Sequence, residues 1–245
     1  MKAISVLRSL GPIDLRSIGR DSLLFWVVPY PLVLGALLRW LAPAAEAWLA
    51  REFQLEIGPH LPLVGCFVLL AAPIMVGVVV GFLMLDERDE GALTALLVTP
   101  LSAGQYLLYR IGMPLLASTA MGLLIFPVVN FGAVPWGPVV PVVAVTALEA
   151  PLFALFLASF AENKVQGFAL AKGLGGLLVA PAAIFFVEEP WQYLAGIAPT
   201  YWPVKAFAVA SAGEPGYAVF IAAGFASHAL CILLLLRRFR RVLRR

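Results

Sequence analysis

Charged side chains are scarce in this sequence: Asp, Glu, Lys and Arg make up 13% of 245 residues against 62% hydrophobic, and the mean hydropathy is +0.96. Such a balance cannot clothe a water-facing surface, so a soluble globular domain is excluded. Cysteine is nearly absent. With only Cys66 and Cys231, both inside apolar runs, there is no disulfide framework and no zinc spacing, and each reads as a small buried apolar side chain. A phosphate-cradling Gly-x-x-x-x-Gly-Lys-Ser/Thr loop is also missing. The closest glycine cluster, Lys172-Gly173-Leu174-Gly175-Gly176, lacks the following Lys-Ser and lies in an apolar run, so the chain itself is not expected to bind ATP. No period of roughly 20 to 50 residues is visible, and the halves do not match as inverted repeats.

What the sequence has instead is a series of long apolar runs, at about residues 22–41, 61–85, 111–132, 138–160, 166–187 and 217–236. Each approaches the roughly 20 residues that cross a bilayer as a helix. None alternates as a barrel strand does, and a helix satisfies its own backbone in lipid, so six transmembrane helices are expected. An even number puts both termini on one side. The tail arginines, Arg237, Arg238, Arg240, Arg241, Arg244 and Arg245, make that side the cytoplasm. Under this topology all 17 Lys and Arg residues lie inside or at the inner boundary except Arg39, Arg51 and Lys205. The pI near 9.0 then requires no nucleic acid, because the tail can lie against anionic headgroups. Ala45-Glu46-Ala47 has the form of a signal-peptide cleavage site, yet the preceding apolar run suits a retained span better than a short signal core.

A single membrane domain is expected over 1–245, with an amphipathic interfacial segment at 1–21, a six-span region at 22–236 and a basic cytoplasmic tail at 237–245. Ile4, Leu7, Leu10, Leu15 and Ile18 stand among Lys2, Arg8, Arg16 and Arg20 as on a helix lying along the inner leaflet, with a break at Gly11-Pro12. Asp21 is placed to N-cap the first span, which Pro29 and Pro31 should kink. The stretch from Ala42 to Pro62 suggests a short helix at the outer interface. From Glu188 to Tyr217, Trp191, Tyr193, Tyr201, Trp202 and Phe207 alternate with Pro190, Pro199, Pro203 and Pro215, predicting short broken helices that dip into the outer interface before the last span. Anchoring alone explains these rings; lining a substrate exit is the alternative.

Residues 86–110, DERDEGALTALLVTPLSAGQYLLYR, form the most specific stretch. The acidic run Asp86, Glu87, Asp89 and Glu90, with Arg88, would favour the start of a helix in which Leu93, Leu96 and Leu97 share one apolar ridge. Pro100 ends that helix, pushing Thr99 out of helical geometry. Ser102 and Gln105 have capping-box spacing, with Leu101 and Tyr106 placed as a hydrophobic staple. The reading is a helix, an elbow and a second helix. A connector needs only about five residues, and an exposed apolar ridge needs a partner. Packing back onto the chain's own inner surface is the alternative. The carboxylates are not read as a metal or acid–base site, because adjacent residues on a helix point apart and no histidine is near.

This run resembles the inner loop of the ABC-2 family of ATP-binding-cassette exporter permeases: an acidic-Glu-Arg stretch, a Gly-Thr-Leu or similar, then Leu-Leu-x-Thr-Pro-Leu-Ser. About twenty residues match closely, with Ala92 between Gly91 and Leu93 where the family often has Thr. The arrangement of amphipathic helix, six spans, aromatic outer segment and basic tail is similar over the whole chain. The stretch Ala161-Glu162-Asn163-Lys164-Val165-Gln166-Gly167 is similar to a second inner loop of the bacterial drug-export members, which marks Asn163 and Lys164. The resemblance implies a transport subunit that is not itself an enzyme and has no catalytic or metal residues. It implies a separate cytoplasmic ATPase carrying Mg-ATP and a second permease subunit, identical or not. It also implies a coupling helix between spans 2 and 3 that docks on the ATPase through Asp86, Glu87, Arg88, Glu90, Gly91, Leu93, Leu96, Leu97, Thr99, Pro100, Leu101 and Ser102.

One charge lies deep in an apolar run. Glu149 falls near the middle of the fourth, where insertion scales put the penalty for an ionised group at roughly 2.5 to 3.5 kcal/mol. It is expected to bind a cationic group of a substrate or to make an internal hydrogen bond, with Pro151 loosening the backbone nearby. His228 in the sixth run reads as a satisfied interhelical polar residue. The expected substrate is hydrophobic or amphiphilic, drug-like first and lipid or glycolipid second. The rivals are a membrane-embedded lipid-modifying enzyme using Asp86 and Glu90, and a scaffold without transport.

Overall fold

The computed structural model describes residues 3–91, 103–130 and 134–242. Among them the elements are α1 (Ala3–Arg20), α2 (Ser22–Val27), α3 (Tyr30–Phe53), α4 (Leu61–Asp89), α5 (Ala103–Val129), α6 (Trp136–Ala147), α7 (Glu149–Phe160), α8 (Lys164–Leu174), α9 (Ala183–Phe186), α10 (Tyr201–Ala212) and α11 (Tyr217–Val242). Short 3-10 turns lie at Gly58–His60, Gly175–Leu178, Ala180–Ala182 and Trp191–Ile197. Six helical stretches are long and apolar enough to cross a membrane: Tyr30–Phe53, Val64–Asp89, Gly104–Val129, Trp136–Phe160, Lys164–Phe186 and Tyr217–Val242. The chain is an all-α, multi-pass membrane protein.

Spans two and four are its centre. In their most apolar windows 83% and 72% of residues are buried, against 11% in spans one, five and six. Glycine makes this possible. Gly77 and Gly81 are one helical turn apart on α4, and a Cβ at Gly77 would stand 2.5 Å from the Ala150 carbonyl oxygen and 2.9 Å from Phe153 Cβ of α7. Lipid gives apolar helices no reason to leave it for one another, so backbones brought this close supply the attraction.

Leu10 of α1, Tyr106 of α5 and Phe239 of α11 share one buried cluster, which places both ends of the chain at the same end of the bundle. We call it the terminal end and its opposite the distal end. At the distal end Val204, Ala206 and Phe207 of α10 join Cys66 and Leu69 of α4, Phe126 of α5 and Val142 of α6 in another cluster.

Several local expectations change. The helix α1 runs through Gly11-Pro12 without a break, so the single backbone bond lost to the proline is not enough to end it. Asp21 does cap α2, its Oδ1 accepting from Leu24 N at 3.2 Å, but the span does not start there. Pro29 and Pro31 lack the amide protons that would continue α2, so it stops at Val27, and α3 restarts with proline tolerated in its first turn. That helix continues to Phe53, where a separate outer helix was expected. The fourth span is broken at Leu148, because Pro151 cannot donate to the Ala147 carbonyl. In the fifth span, Gly173, Gly175, Gly176 and Pro181 give way to 3-10 turns. The acidic run is the last turn of α4 and not the first of the next helix; Gly91, with φ +69°, ends it. Before the last span, the broken elements are present, but α10 is driven into the core, with Tyr201 and Phe207 buried and Trp191 exposed. Cys66 is fully buried, whereas Cys231 is only partly so.

Candidate functional site

At the terminal end, α4 finishes with acidic residues where the helix dipole disfavours them. The fold answers Asp86 and Glu87 with cations or donors. Arg110, two turns into α5 and 1% exposed, donates from Nη1 to Asp14 Oδ2 at 2.9 Å and from Nη2 to Asp14 Oδ1 at 3.1 Å. Nη2 also donates to Glu87 Oε1. The Tyr106 hydroxyl donates to Glu87 Oε2 at 2.7 Å and the Tyr109 hydroxyl to Asp14 Oδ2 at 2.8 Å. The guanidinium lies 5.6 Å and 5.4 Å from the centroids of these two rings. The forked geometry on Asp14 is available to arginine and not to lysine. A single buried cation thus fastens α1, the end of α4 and the start of α5 together.

A second cation works beside it. Lys164 Nζ donates to Asp21 Oδ2 at 2.9 Å and to Asp86 Oδ2 at 3.0 Å, joining α2, α4 and α8. Arg88 Nη2 donates to the Ala161 carbonyl at 2.6 Å. Asn163 N-caps α8, accepting from Gln166 N at 3.0 Å, and Gln166 Oε1 accepts from Glu162 N at 2.6 Å. Between α1 and α4 lies a cleft of about 490 Å³, lined by Leu10, Ile13 and Leu83 and by the charged Asp14, Arg20, Asp21, Asp86, Glu87, Glu90 and Arg110.

Midway along the bundle, Glu149 and His228 meet. His228 Nε2 is 2.9 Å from Glu149 Oε1, and Nδ1 is 2.7 Å from the Gly224 carbonyl one turn back. A carbonyl only accepts, so Nδ1 carries hydrogen, and the Nε2 to Oε1 bond holds one proton on either partner. The pair is neutral overall and is 0% and 1% exposed. It joins α7, immediately after the break at Leu148, to α11. Near the terminal end the same two helices are joined again, by Arg238 Nε donating to the Ser159 carbonyl at 3.2 Å.

Comparison with known proteins gives this architecture a place. The model of a family described as Rv2686c-like, fluoroquinolones export permease protein, matches residues 14–236. Two proteins of Mycobacterium tuberculosis are each 31% identical over 254 residues, covering 98% of both chains: fluoroquinolones export permease protein MT2760 of strain CDC 1551 / Oshkosh and fluoroquinolones export permease protein Rv2686c of strain ATCC 25618 / H37Rv. The chain belongs to this export permease family.

For the permease, the marked inner residues divide into two groups. Asp86 and Arg88 meet Lys164 and the Ala161 carbonyl of the second inner loop, where Asn163 caps α8, Glu87 meets Arg110, and Glu90 is exposed. Leu93, Leu96, Leu97, Thr99, Pro100, Leu101 and Ser102, the ridge and elbow, lie outside the described residues. Asp14, Tyr109 and Arg110 carry the fastening and were not marked from sequence. An arginine two turns into an otherwise uncharged span was the available signal, since such a charge demands a partner. The small-xxx-small pair Gly77 and Gly81 was another. Among the described residues no group of three or more His, Cys, Asp or Glu side chains is set to hold a metal ion.

Proposed function

We propose that this permease is the membrane subunit of an ATP-driven exporter, coupled through residues 86–105 to a separate cytoplasmic ATPase that holds Mg-ATP, and paired with a second permease subunit. The sequence has no Gly-x-x-x-x-Gly-Lys-Ser/Thr loop, which supports assigning hydrolysis to the partner. Its substrate is a hydrophobic or amphiphilic drug-like molecule, moved outward; the names of the mycobacterial relatives point to fluoroquinolones. The terminal end faces the cytoplasm, in keeping with the arginines of the tail. Spans one, five and six, poorly buried within one copy, leave surface for lipid and for the second subunit.

The observation that carries this reading is the Arg110 fastening. It joins the helices on both sides of the loop, through Glu87 before it and Tyr106 after it, and ties both to α1. A push on the loop is therefore delivered to three helices at once, as transmission through discrete packed contacts requires. ATP would favour one arrangement of the ATPase pair, and docking would carry that preference into the spans as a population shift.

Replacing Leu96 by Glu tests the docking. Substrate-stimulated ATP hydrolysis and fluoroquinolone export by the reconstituted complex should fall together, while membrane insertion is unchanged. Export at the parental rate would overturn the role of the loop.

A further inference from the structure

The distal end contains one buried cation whose placement stability alone does not explain. Lys205 lies in α10 and is 7% exposed. Its Nζ donates to Glu189 Oε1 at 2.7 Å and stands 5.9 Å from the centroid of the Tyr193 ring and 5.7 Å from that of Phe220. Those two rings stack with 6.3 Å between centroids. The Glu189 side chain is 53% exposed and lies just before the Trp191–Ile197 turn. An ammonium on a core helix is thus answered by a carboxylate at the surface.

An apolar side chain at this position would pack without needing that carboxylate, and a buried ion pair rarely outperforms a hydrophobic replacement of similar size. What the pair adds is a condition. While Glu189 is in place, the ammonium is satisfied and α10 stays seated. Once Glu189 withdraws, a positive charge is left unbalanced beside the Tyr193 and Phe220 rings, which favours a movement of α10 that carries it into water. The helix is bounded by pivots for such a movement: Pro199 and Thr200 before it, and Gly213 (φ +68°) and Gly216 (φ +101°) after it. Beneath seated α10 lies the distal core, where Val204, Ala206 and Phe207 cover the cluster that contains Cys66.

We infer that α10 is the distal gate of the permease and that Lys205 and Glu189 are its latch, closed in this structure and broken when the distal end opens. Its role in export rests on the function proposed above; the latch itself does not.

Cys66 is a reporter already built into the chain. With Cys231 replaced by Ala, the full chain in lipid nanodiscs is treated with a membrane-impermeant maleimide. Cys66 should be protected in this parent. Glu189→Gln should raise its labelling rate by about tenfold or more, because the amide still accepts a hydrogen bond but no longer neutralises the buried ammonium. The double variant Glu189→Gln with Lys205→Met should return labelling to the parental rate, since the stranded charge is then gone. Unchanged protection in Glu189→Gln overturns the latch. So does labelling of the double variant as fast as the single one, which would assign opening to the segment at 187–190 and not to the ammonium. In cells containing the cognate ATPase, the double variant should stay shut and lose fluoroquinolone export; export at the parental rate overturns the gate. Should the parent itself export no fluoroquinolone, the proposed function fails, while the labelling rates still decide the latch.

Discussion

The terminal end of the bundle is joined by ions and the distal end by rings and aliphatic side chains. At the first, Arg110 and Lys164 connect α1, α2, α4, α5 and α8 through carboxylates that come from far apart in the sequence. At the second, α10 packs into an apolar cluster, with Tyr193, Tyr201, Trp202 and Phe220 around a single ion pair. The difference is one of mechanical character. Forked ion pairs fix the relative positions of the helices they join, so a force on one is felt by all. Close apolar packing resists partial displacement, so the distal end should be seated or unseated with little between.

The largest blow to this contrast would come at Arg110. Arg110→Ala strands Asp14 and Glu87 and should destabilise the protein by about 3–5 kcal/mol, read as thermal unfolding in nanodiscs. Arg110→Lys should recover only part of it, because the fork on Asp14 is lost. A loss no larger than that of an exposed charge would mean the terminal end is not held by its ions. Between the two ends, Gly77→Val forces a side chain against the Ala150 carbonyl and should destabilise by about 1–3 kcal/mol, with a lower yield of folded protein. Full stability would show that α4 and α7 can separate freely. Next comes the central pair. His228→Leu leaves a carboxyl without its partner and should lose about 1–3 kcal/mol, whereas Glu149→Gln keeps a side chain able to hydrogen-bond Nε2 and should lose less. If Glu149 also engages substrate, Glu149→Gln will impair export of cationic compounds more than neutral ones; equal impairment assigns it to the helix contact alone.

The smallest effect is one of pH at the distal end. The hydrogen bond from Lys205 holds the Glu189 carboxyl below its usual value. Its contribution is therefore complete above the ordinary carboxylate value of about 4.3 and is lost as pH falls through the lowered one. Tyr193, pushed upward by burial, does not titrate in that window. The near-ultraviolet dichroism of the Tyr193, Trp202 and Phe220 cluster should stay flat from neutral pH into the acid range and change only below it. A change beginning near neutral pH would implicate another group.

Six spans, a common end for both termini and an Asp21 cap were legible because hydropathy, helix parity and capping chemistry are local properties. The breaks were partly legible: prolines at 29, 31 and 151 announced them, but whether a proline kinks a helix or ends it depends on what the flanking turns pack against, and α1 runs through Pro12. The acidic run was assigned to the wrong helix, because carboxylates at a C-terminus are tolerable only with Arg110 and Lys164 beside them, and those contacts span 23 and 78 residues. The partnership of Glu149 with His228, 79 residues away, was hidden for the same reason. Sequence exposed Glu149 as a lone charge and left its partner to the fold.

The bond between α1 and α5 also sets a timetable. Asp14 is made 96 residues ahead of Arg110. At synthesis rates of about 5–20 residues per second, α1 waits roughly 5 to 20 s before its partner exists. During that interval it has no fastening to Arg110, and only its amphipathic face can hold it at the membrane surface. A nascent chain halted before residue 110 should therefore expose α1 to protease, and one halted after the third span has inserted should protect it. The helix α1 is made well before the span that locks it.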